Sequence, residues 1–454
     1  MSEVIKKSLV NDELVDAFRK NSSVIFEQTP DFINKLRDAN FNEFEKVGLP
    51  TKKNETYKYT DIESAFFGAY KRQYSPQPLT IDIREVFTCD VPELENHLML
   101  VNGWFYDKEN KLKVLPNGAI IGSLIEATKK FPEIVEKHYG KYIIEQNDSL
   151  SMLNMSFAQD GLFVYVPKGV VIEKPIQLIN LIVATEELMV QPHNLIIAEE
   201  DSSVSVVICD HSLNPHAFLL NSTTEVMAGK NSKLEIYRQQ NAHDHSVQLT
   251  NTFILQKESS YVNSVYITLH GGTVRNNLYV KLSETHAQNK SYGLWLADKN
   301  QHIDNNTFIH HAAPNCESNQ LYKGILDNAS TGIFSGRILV DRLAQKTIAF
   351  QSNKNLLMTN DAKTRSKPQL EIYADDVKCS HGSATGQLDE DAMFYLRQRG
   401  ISKKEACHLL MLAFADDVIN KISVAPLRDE ITGLVEKRLR GELSRCNRCK
   451  VNCG

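Results

Sequence analysis

The chain has 454 residues, 51 basic and 56 acidic side chains, a net charge of -5, and 42% hydrophobic residues. This composition is typical of globular proteins and excludes collagen, low-complexity disorder and an integral membrane protein. The mildly acidic charge also argues against a protein that binds nucleic acid through a basic surface. Because Asn11, Asp12 and Glu13 follow Lys6 and Lys7, no secretory signal is apparent and we expect a cytoplasmic protein.

The first part of the chain has a helical pattern broken by turn residues. Thr29, Pro30 and Asp31 provide a cap, a first helical position and an acidic residue in the first turn of a helix. The apolar stripe that follows ends at Gly48. We therefore predict an N-terminal helical domain over residues 1–90.

Residues 91–385 contain alternating and β-branched segments that predict short strands. A strand, a turn and a second strand recur at intervals of about thirty and twenty-eight residues, with turns at Asp201, Asn231, Ser259 and Asn328. Units of this length without a helix cannot bury both faces alone, so stacking them into a β-solenoid explains the pattern. A β-sandwich is the alternative that periodicity leaves open.

Residues 386–454 return to a helical pattern and end in a cysteine-containing tail. Asp389 begins one helix, and Ser402 with Glu405 forms a capping box that begins a second. A third helix follows Pro426. We expect the apolar stripe of this C-terminal helical domain to pack on the solenoid or on another chain.

Several catalytic signatures are absent from the sequence. There is no G-x-x-x-x-G-K-[ST] loop, since Gly382 and Gly386 are followed by Gln387, and there is no G-x-S-x-G or H-E-x-x-H motif. We therefore expect that this chain does not bind and hydrolyse ATP through a P-loop.

Cys379 and His381 are the first candidate metal ligands. In a strand they face the same side, with about 7 Å between their Cα atoms. A thiolate and an imidazole suit iron, zinc or a cluster, but two residues cannot complete a four-coordinate site. Either the other ligands come from elsewhere, or the pair is a buried cysteine beside a surface histidine.

The C-terminal tail offers a second set of candidate ligands, Cys446, Cys449 and Cys453, in a C-x-x-C-x-x-x-C arrangement. Three thiolates at this spacing can bind one soft metal, and Arg445 and Arg448 would lower the pKa of the thiols. The alternative is a basic tail without a metal, because no fourth ligand is evident. We expect at most accessory metal or sulfur handling here.

The remaining cysteines and the histidine pairs have structural interpretations. We expect four cysteines to be buried as small apolar residues, namely Cys89, Cys209, Cys316 and Cys407. We interpret two histidine pairs as solvated or turn residues, His243 with His245 and His310 with His311. The adjacent pair would point to opposite faces of a strand and cannot chelate together.

Two motifs resemble the SufB/SufD family of iron–sulfur cluster assembly proteins. QLEIYADDVKCSHGSATGQLDEDAMFYLRQRGISKKEA at 369–406 resembles the signature stretch of the SufD branch. LPTKKNETYKYTDI at 49–62 is similar to an N-terminal motif of the family, although Tyr57 stands where a Trp is usual. With the order helical, strand-rich, helical, the resemblance spans essentially the whole chain.

The resemblance implies a right-handed parallel β-helix between two helical domains, in a non-catalytic scaffold subunit. It implies pairing with a SufB-like chain through the β-helices, and a SufC-like ATPase docked on the C-terminal helices. By the same resemblance, His381 acts in cluster formation at the interface with SufB, and Cys379 occupies the adjoining motif position. The iron–sulfur cluster would be transient and shared. A reduced flavin is associated with the family, although no residue here argues for one.

Two alternative functions are compatible with parts of the sequence. The first is the SufB-type paralogue itself, which would show a Glu-His-Glu-Ala type sequence where this chain has Cys379-Ser380-His381-Gly382. The second is a polysaccharide-active β-helix enzyme, which would be exported and would carry an acid, a base and a cation on one face. The missing signal segment and the cysteine usage argue against that enzyme.

Overall fold

A computed structural model describes residues 2–68, 70–78, 83, 91, 94, 96–106, 111–143, 148–214 and 216–442. The helices are α1 (Ser2–Glu27), α2 (Asp31–Val47), α3 (Ile62–Ala65), α4 (Leu124–Lys130), α5 (Pro132–His138), α6 (Ser149–Phe157), α7 (Glu390–Gln398), α8 (Lys403–Ile419) and α9 (Ala425–Leu439), with a short 3₁₀ turn at Glu55–Tyr57.

The first eleven strands are β1 (Lys71–Arg72), β2 (Asn96–Val101), β3 (Trp104–Phe105), β4 (Leu112–Val114), β5 (Ile120–Ser123), β6 (Leu162–Val166), β7 (Ile176–Ile182), β8 (Leu188–Val190), β9 (His193–Ala198), β10 (Ser203–Ser212) and β11 (Phe218–Ala228). The others are β12 (Lys233–Asn241), β13 (Ser246–Gln256), β14 (Tyr261–His270), β15 (Thr273–Leu282), β16 (Gln288–Ala297), β17 (His302–His311), β18 (Glu317–Leu326), β19 (Thr331–Val340), β20 (Thr347–Leu357), β21 (Lys363–Ile372) and β22 (Val377–Gly386).

The long strands stack in two parallel sheets and form a β-solenoid of about eight turns. The first sheet runs from β6 and β9 through the odd-numbered strands to β21, and the second runs from β7 through the even-numbered strands to β22. Consecutive turns pair in register, for example Val204 with Leu234 and Leu234 with Val262. This confirms the solenoid and excludes the sandwich.

The solenoid turns at the positions that the sequence predicted. Asp201, Asn231, Ser259 and Asn328 have positive φ angles of 57°, 54°, 54° and 50°. Asn and Asp tolerate this left-handed conformation better than most residues. The Asn231 side chain also donates a hydrogen bond of 3.0 Å to Asp201, one turn away. The corner of each of these turns is therefore fixed by local chemistry.

The interior changes character along the solenoid axis. One inward-facing column of the second sheet begins with aliphatic residues and ends with polar ones, in the order Ile176, Val206, Ile236, Ser264, Ser291, Gln320, Gln351 and His381. The first seven are buried. This column is thus apolar in the early turns and polar in the last ones.

The N-terminal helices pack on one side of the solenoid. Phe18, Phe41 and Phe157 join a cluster that includes Leu219 and Leu249 of the first sheet. The short helices between residues 124 and 157 interrupt a region where the sequence predicted strands. Side-chain caps define two of them, because Ser123 accepts a hydrogen bond from the backbone of Glu126 and Asp148 accepts one from that of Leu150.

The C-terminal helices α8 and α9 pack on the outer face of the second sheet, which is the first of the two predicted options. Ser402 caps α8 by accepting a hydrogen bond of 3.2 Å from the Glu405 backbone, as predicted. The Tyr237 and Ser423 hydroxyls lie 2.9 Å apart and link β12 to the segment before α9. In contrast, α7 buries none of its residues.

Candidate functional site at the open end of the solenoid

Cys379 and His381 lie on β22, the last strand of the second sheet. Val377 and Cys379 pack against the inner apolar cluster of the solenoid. Because side chains alternate along a strand, His381 points to the same inward side. No further turn of the described chain covers it, and the imidazole is exposed to solvent. The predicted common face of the cysteine and the histidine is therefore present at the open end of the solenoid.

The environment of Cys379 favours the neutral thiol in the isolated chain. Its side chain is only partly exposed, and burial raises the pKa of the thiol above its ordinary value. The backbone of Ala349 on the preceding turn counters this effect in part. A thiolate at this position therefore needs a nearby cation, such as a metal ion, to become stable.

The two terminal strands leave the end of the solenoid unpaired. β21 and β22 are the last strands of their sheets, so one edge of each has no neighbouring strand within the described residues. The residues after His381 on β22 are all small, from Gly382 to Gly386. Ile372, Tyr373 and Leu343 near this end are exposed apolar residues. An unpaired edge with small and apolar side chains is suited to contact with another chain.

Ligands for a metal are incomplete at this site. Within the described residues, no group of three or more His, Cys, Asp or Glu side chains could hold a metal ion. Cys379 and His381 together can supply one sulfur and one nitrogen. An iron–sulfur cluster bound here would therefore need further ligands from outside this part of the chain.

The N-terminal motif at 49–62 clamps the helical region onto the first sheet. Arg275 of β15 lies 4.1 Å from the centre of the Tyr57 ring and donates a hydrogen bond of 2.7 Å to the Thr56 carbonyl. It also forms a buried ion pair with Asp304 of β17. The Thr60 hydroxyl donates to the same carboxylate at 2.5 Å. Burial raises the pKa of the Tyr57 hydroxyl, so this residue has a structural role.

The cysteine predictions have mixed outcomes. Cys209 and Cys316 are buried, as predicted, and Cys407 is half-buried on α8. Four cysteines lie outside the described residues, namely Cys89 and the tail residues Cys446, Cys449 and Cys453.

The interpretation of the histidine pairs as solvated or turn residues is wrong for His311, which lies in a strand. His243 does begin a turn, because its carbonyl accepts a hydrogen bond from the Ser246 backbone. His243 is buried, where its ring nitrogen lies 2.8 Å from the His216 carbonyl. His311 is fully buried in β17 and bonds to the Ser318 hydroxyl at 2.8 Å. His310 points the other way and contacts Asp341, as the opposite-face argument predicted.

Two features of the site were not predicted from the sequence. Gln351 is buried directly beneath His381 in the preceding turn. It lies thirty residues before the histidine, which matches the repeat interval, so the repeat could have revealed it. Phe394 and Tyr395 are exposed on α7. The sequence of a short helix does not show whether its apolar residues are covered by the rest of the chain or exposed.

Comparisons with known proteins identify the family. Residues 181–414 match the family description "SUF system FeS cluster assembly, SufBD core domain", and residues 9–178 match "SufBD protein N-terminal region". The chain belongs to the SufBD family. The core match covers the solenoid from β7 onwards, together with α7 and most of α8, and so includes the site on β22.

Members of the SufBD family align with most of the chain. An iron–sulfur cluster assembly SufBD family protein of Synechocystis is 27% identical, over 94% of this chain and 95% of its own length. The iron–sulfur cluster assembly protein SufD of Escherichia coli is 28% identical, over 87% and 90%. SufD of Bacillus subtilis is 25% identical, over 71% and 74%.

Among the helices of the described residues, none combines the length and the hydrophobicity that a membrane-spanning helix needs.

Proposed function

We propose that this SufBD family chain is a scaffold subunit that assembles iron–sulfur clusters together with two partners. A SufB-like chain pairs with the open end of the solenoid, and a SufC-like ATPase docks on the C-terminal helices. The chain itself supplies ligands and shape, and the ATPase supplies the energy of ATP hydrolysis. The cluster is the cargo of this complex, bound transiently between the two scaffold chains.

The observation that carries this proposal is the position of His381. His381 is exposed on an edge strand, at the end of the solenoid. An edge strand can extend its sheet by pairing with a strand from another chain. A SufB-like chain that adds strands to β21 and β22 would bring its own ligands next to the imidazole.

Incomplete coordination suits a cluster that must be passed on. His381 offers a ring nitrogen, and Cys379 offers a sulfur whose thiolate form a nearby cation would favour. A complete set of four thiolates from one chain would hold the cluster more firmly than transfer allows. Sharing the ligands between two chains lets a change in their arrangement release the cluster.

Docking of the ATPase is supported by α7. The helix lies beside α8 yet buries none of its own residues, and Phe394 is 65% exposed. Exposed aromatic residues of this kind are typical anchors of protein interfaces. An ATPase that binds more tightly to one arrangement of the two scaffold chains would favour that arrangement when ATP is present.

Reconstitution of the complete complex tests the proposal. The chain, a SufB-like chain and a SufC-like ATPase are supplied with iron, a sulfur donor and a reductant, and cluster formation is followed by absorbance. We expect His381→Ala to form clusters at least about tenfold more slowly than wild type. His286→Asn, a substitution at an exposed left-handed corner that Asn accepts, serves as the control. A wild-type rate for His381→Ala in an intact complex would refute the proposal.

A further inference from the structure

We propose that Gln351 is a positioning residue for His381, holding the imidazole in the tautomer that leaves one ring nitrogen free to bind iron. The inference rests on the proposed function, because it explains how that function's central residue is oriented. It concerns a buried residue of the preceding turn.

Gln351 occupies the position directly beneath the histidine. It is the register partner of His381 in β20, and paired strands lie about 4.8 Å apart. Both residues face the interior, because Gln351 is only 2% exposed and His381 follows the inward-facing Cys379 by two positions. A Cβ atom built at Gly336, on the opposite sheet, would overlap the Gln351 amide nitrogen. The amide therefore extends across the interior, in the layer that the last turn covers.

The amide of Gln351 has unused hydrogen-bonding capacity. Its nitrogen Nε2 and oxygen Oε1 are both buried, and neither has a hydrogen-bond partner within the described residues. A buried amide without partners is unfavourable, so its presence calls for a group that it can bind. His381 is the next residue of the inner column, and its ring likewise makes no hydrogen bond within the described residues.

The chemistry of a metal-binding imidazole supplies the reason for this pairing. A histidine that binds a metal through one nitrogen almost always donates the N–H of the other to an oxygen acceptor, which fixes the tautomer and the ring orientation. Oε1 of Gln351 is such an acceptor, and it is shielded from water. When a ring N–H donates a hydrogen bond to Oε1, the second ring nitrogen keeps its lone pair. That lone pair then faces the open end, where the cluster would form.

Nuclear magnetic resonance tests the contact without any cluster. The full chain is labelled with ¹⁵N-histidine, the ring nitrogens are observed at about pH 8 where histidine is ordinarily neutral, and the signal is assigned with His381→Asn. In the wild type we expect one predominant tautomer, with widely separated shifts for the two nitrogens. Gln351→Met removes the acceptor at similar length, and we expect the separation to fall by about half as the tautomers mix.

Two further variants make this experiment specific. Gln351→Glu retains an oxygen acceptor and should preserve the single tautomer. Gln320→Met makes the same change one turn deeper, beneath Gln351, and should leave the His381 signals unchanged. Identical His381 shifts in wild type and Gln351→Met would overturn the inference, even if His381→Ala abolishes cluster formation.

Cluster assembly by the complete complex gives the second readout. We expect Gln351→Met to slow assembly about tenfold and Gln351→Glu to restore most of the rate. If the tautomer changes in Gln351→Met while assembly keeps its wild-type rate, Gln351 does not position His381 for the reaction and the inference fails. If His381→Ala itself assembles clusters normally, the proposed function fails, whereas the tautomer measurement still reports on the contact.

Discussion

Lys323 donates a hydrogen bond of 2.5 Å to the Asp417 carboxylate and so ties β18 to α8. The same ammonium donates to the Phe414 carbonyl at 2.9 Å and lies 4.1 Å from the centre of the Phe414 ring. The lysine side chain is 3% exposed, whereas that of the aspartate is 61% exposed. A buried cation is therefore held in place by a carboxylate at the surface.

This asymmetry predicts unequal effects for the two partners. Asp417→Ala leaves the Lys323 ammonium buried without its anion, and we expect the free energy of unfolding to fall by about 2 kcal/mol, less than for a fully buried pair because the carboxylate is exposed. Lys323→Met removes the charge and keeps the length, so it should cost less. Urea unfolding measures both, with Asp416→Ala as the control. A greater loss for Lys323→Met would contradict this account.

The left-handed corner at Asn231 predicts a dependence on side-chain shape. A β-branched residue is strained at a φ of 54°, so Asn231→Val should lower the free energy of unfolding by about 1–2 kcal/mol. Asn231→Gly removes the hydrogen bond to Asp201 but accepts the angle, and we expect a smaller loss. Thermal unfolding of the two variants compares them. Equal losses would show that the hydrogen bond, and not the angle, determines stability here.

Burial of His311 predicts a loss of stability in acid. Burial lowers the pKa of this imidazole to about 3 in the folded chain, whereas histidine in an unfolded chain has a pKa of about 6.5. The unfolded state therefore binds the proton first, and the free energy of unfolding falls as the pH drops from about 6.5 towards 3. The variant His311→Gln should show a smaller decline between about pH 6 and pH 4. A decline in His311→Gln as steep as that of wild type would contradict this assignment.

The two proposed partner surfaces predict separable defects. Phe394 lies on α7 and Tyr373 lies beside the terminal strands, and both are more than half exposed. Truncating a central aromatic anchor costs about 2 kcal/mol of binding, or about thirtyfold in affinity. Phe394→Ala should thus weaken binding of the SufC-like ATPase and spare pairing with the SufB-like chain, and Tyr373→Ala should do the reverse. Calorimetry with each partner measures the two affinities. A single variant that weakens both would argue against separate surfaces.

The corner residues favoured the solenoid, and the motif around Cys379 and His381 supplied the candidate site. Asp201 and Asn231 are residue types that accept a left-handed backbone, and their spacing equals the length of one turn. The caps at Ser402 and Asp389 were also predicted, because capping depends on neighbours in sequence. Local chemistry was therefore sufficient for the boundaries of turns and C-terminal helices.

The contacts across the fold could not be predicted in this way. His311 looked like a polar turn residue, yet its place on an inward-facing strand buries it completely. Arg275 contacts both Tyr57 and Asp304, and Tyr57 lies more than two hundred residues before Arg275 in the sequence. Nothing in the sequence shows which surface a motif will meet. Gln351 was overlooked because its importance follows from pairing register, which is settled only when the strands are stacked.

The change from aliphatic to polar residues along the inner column predicts which part of the solenoid opens first by local unfolding. In a stacked repeat each unit is stabilised by its neighbours, and a final unit without a cap is the first to open. Amide hydrogen exchange should therefore be slow around Val206 and faster towards β22. A chain that binds this end would act as the missing cap and would stabilise the last turn. Binding of the partner and stabilisation of that turn would therefore be thermodynamically coupled.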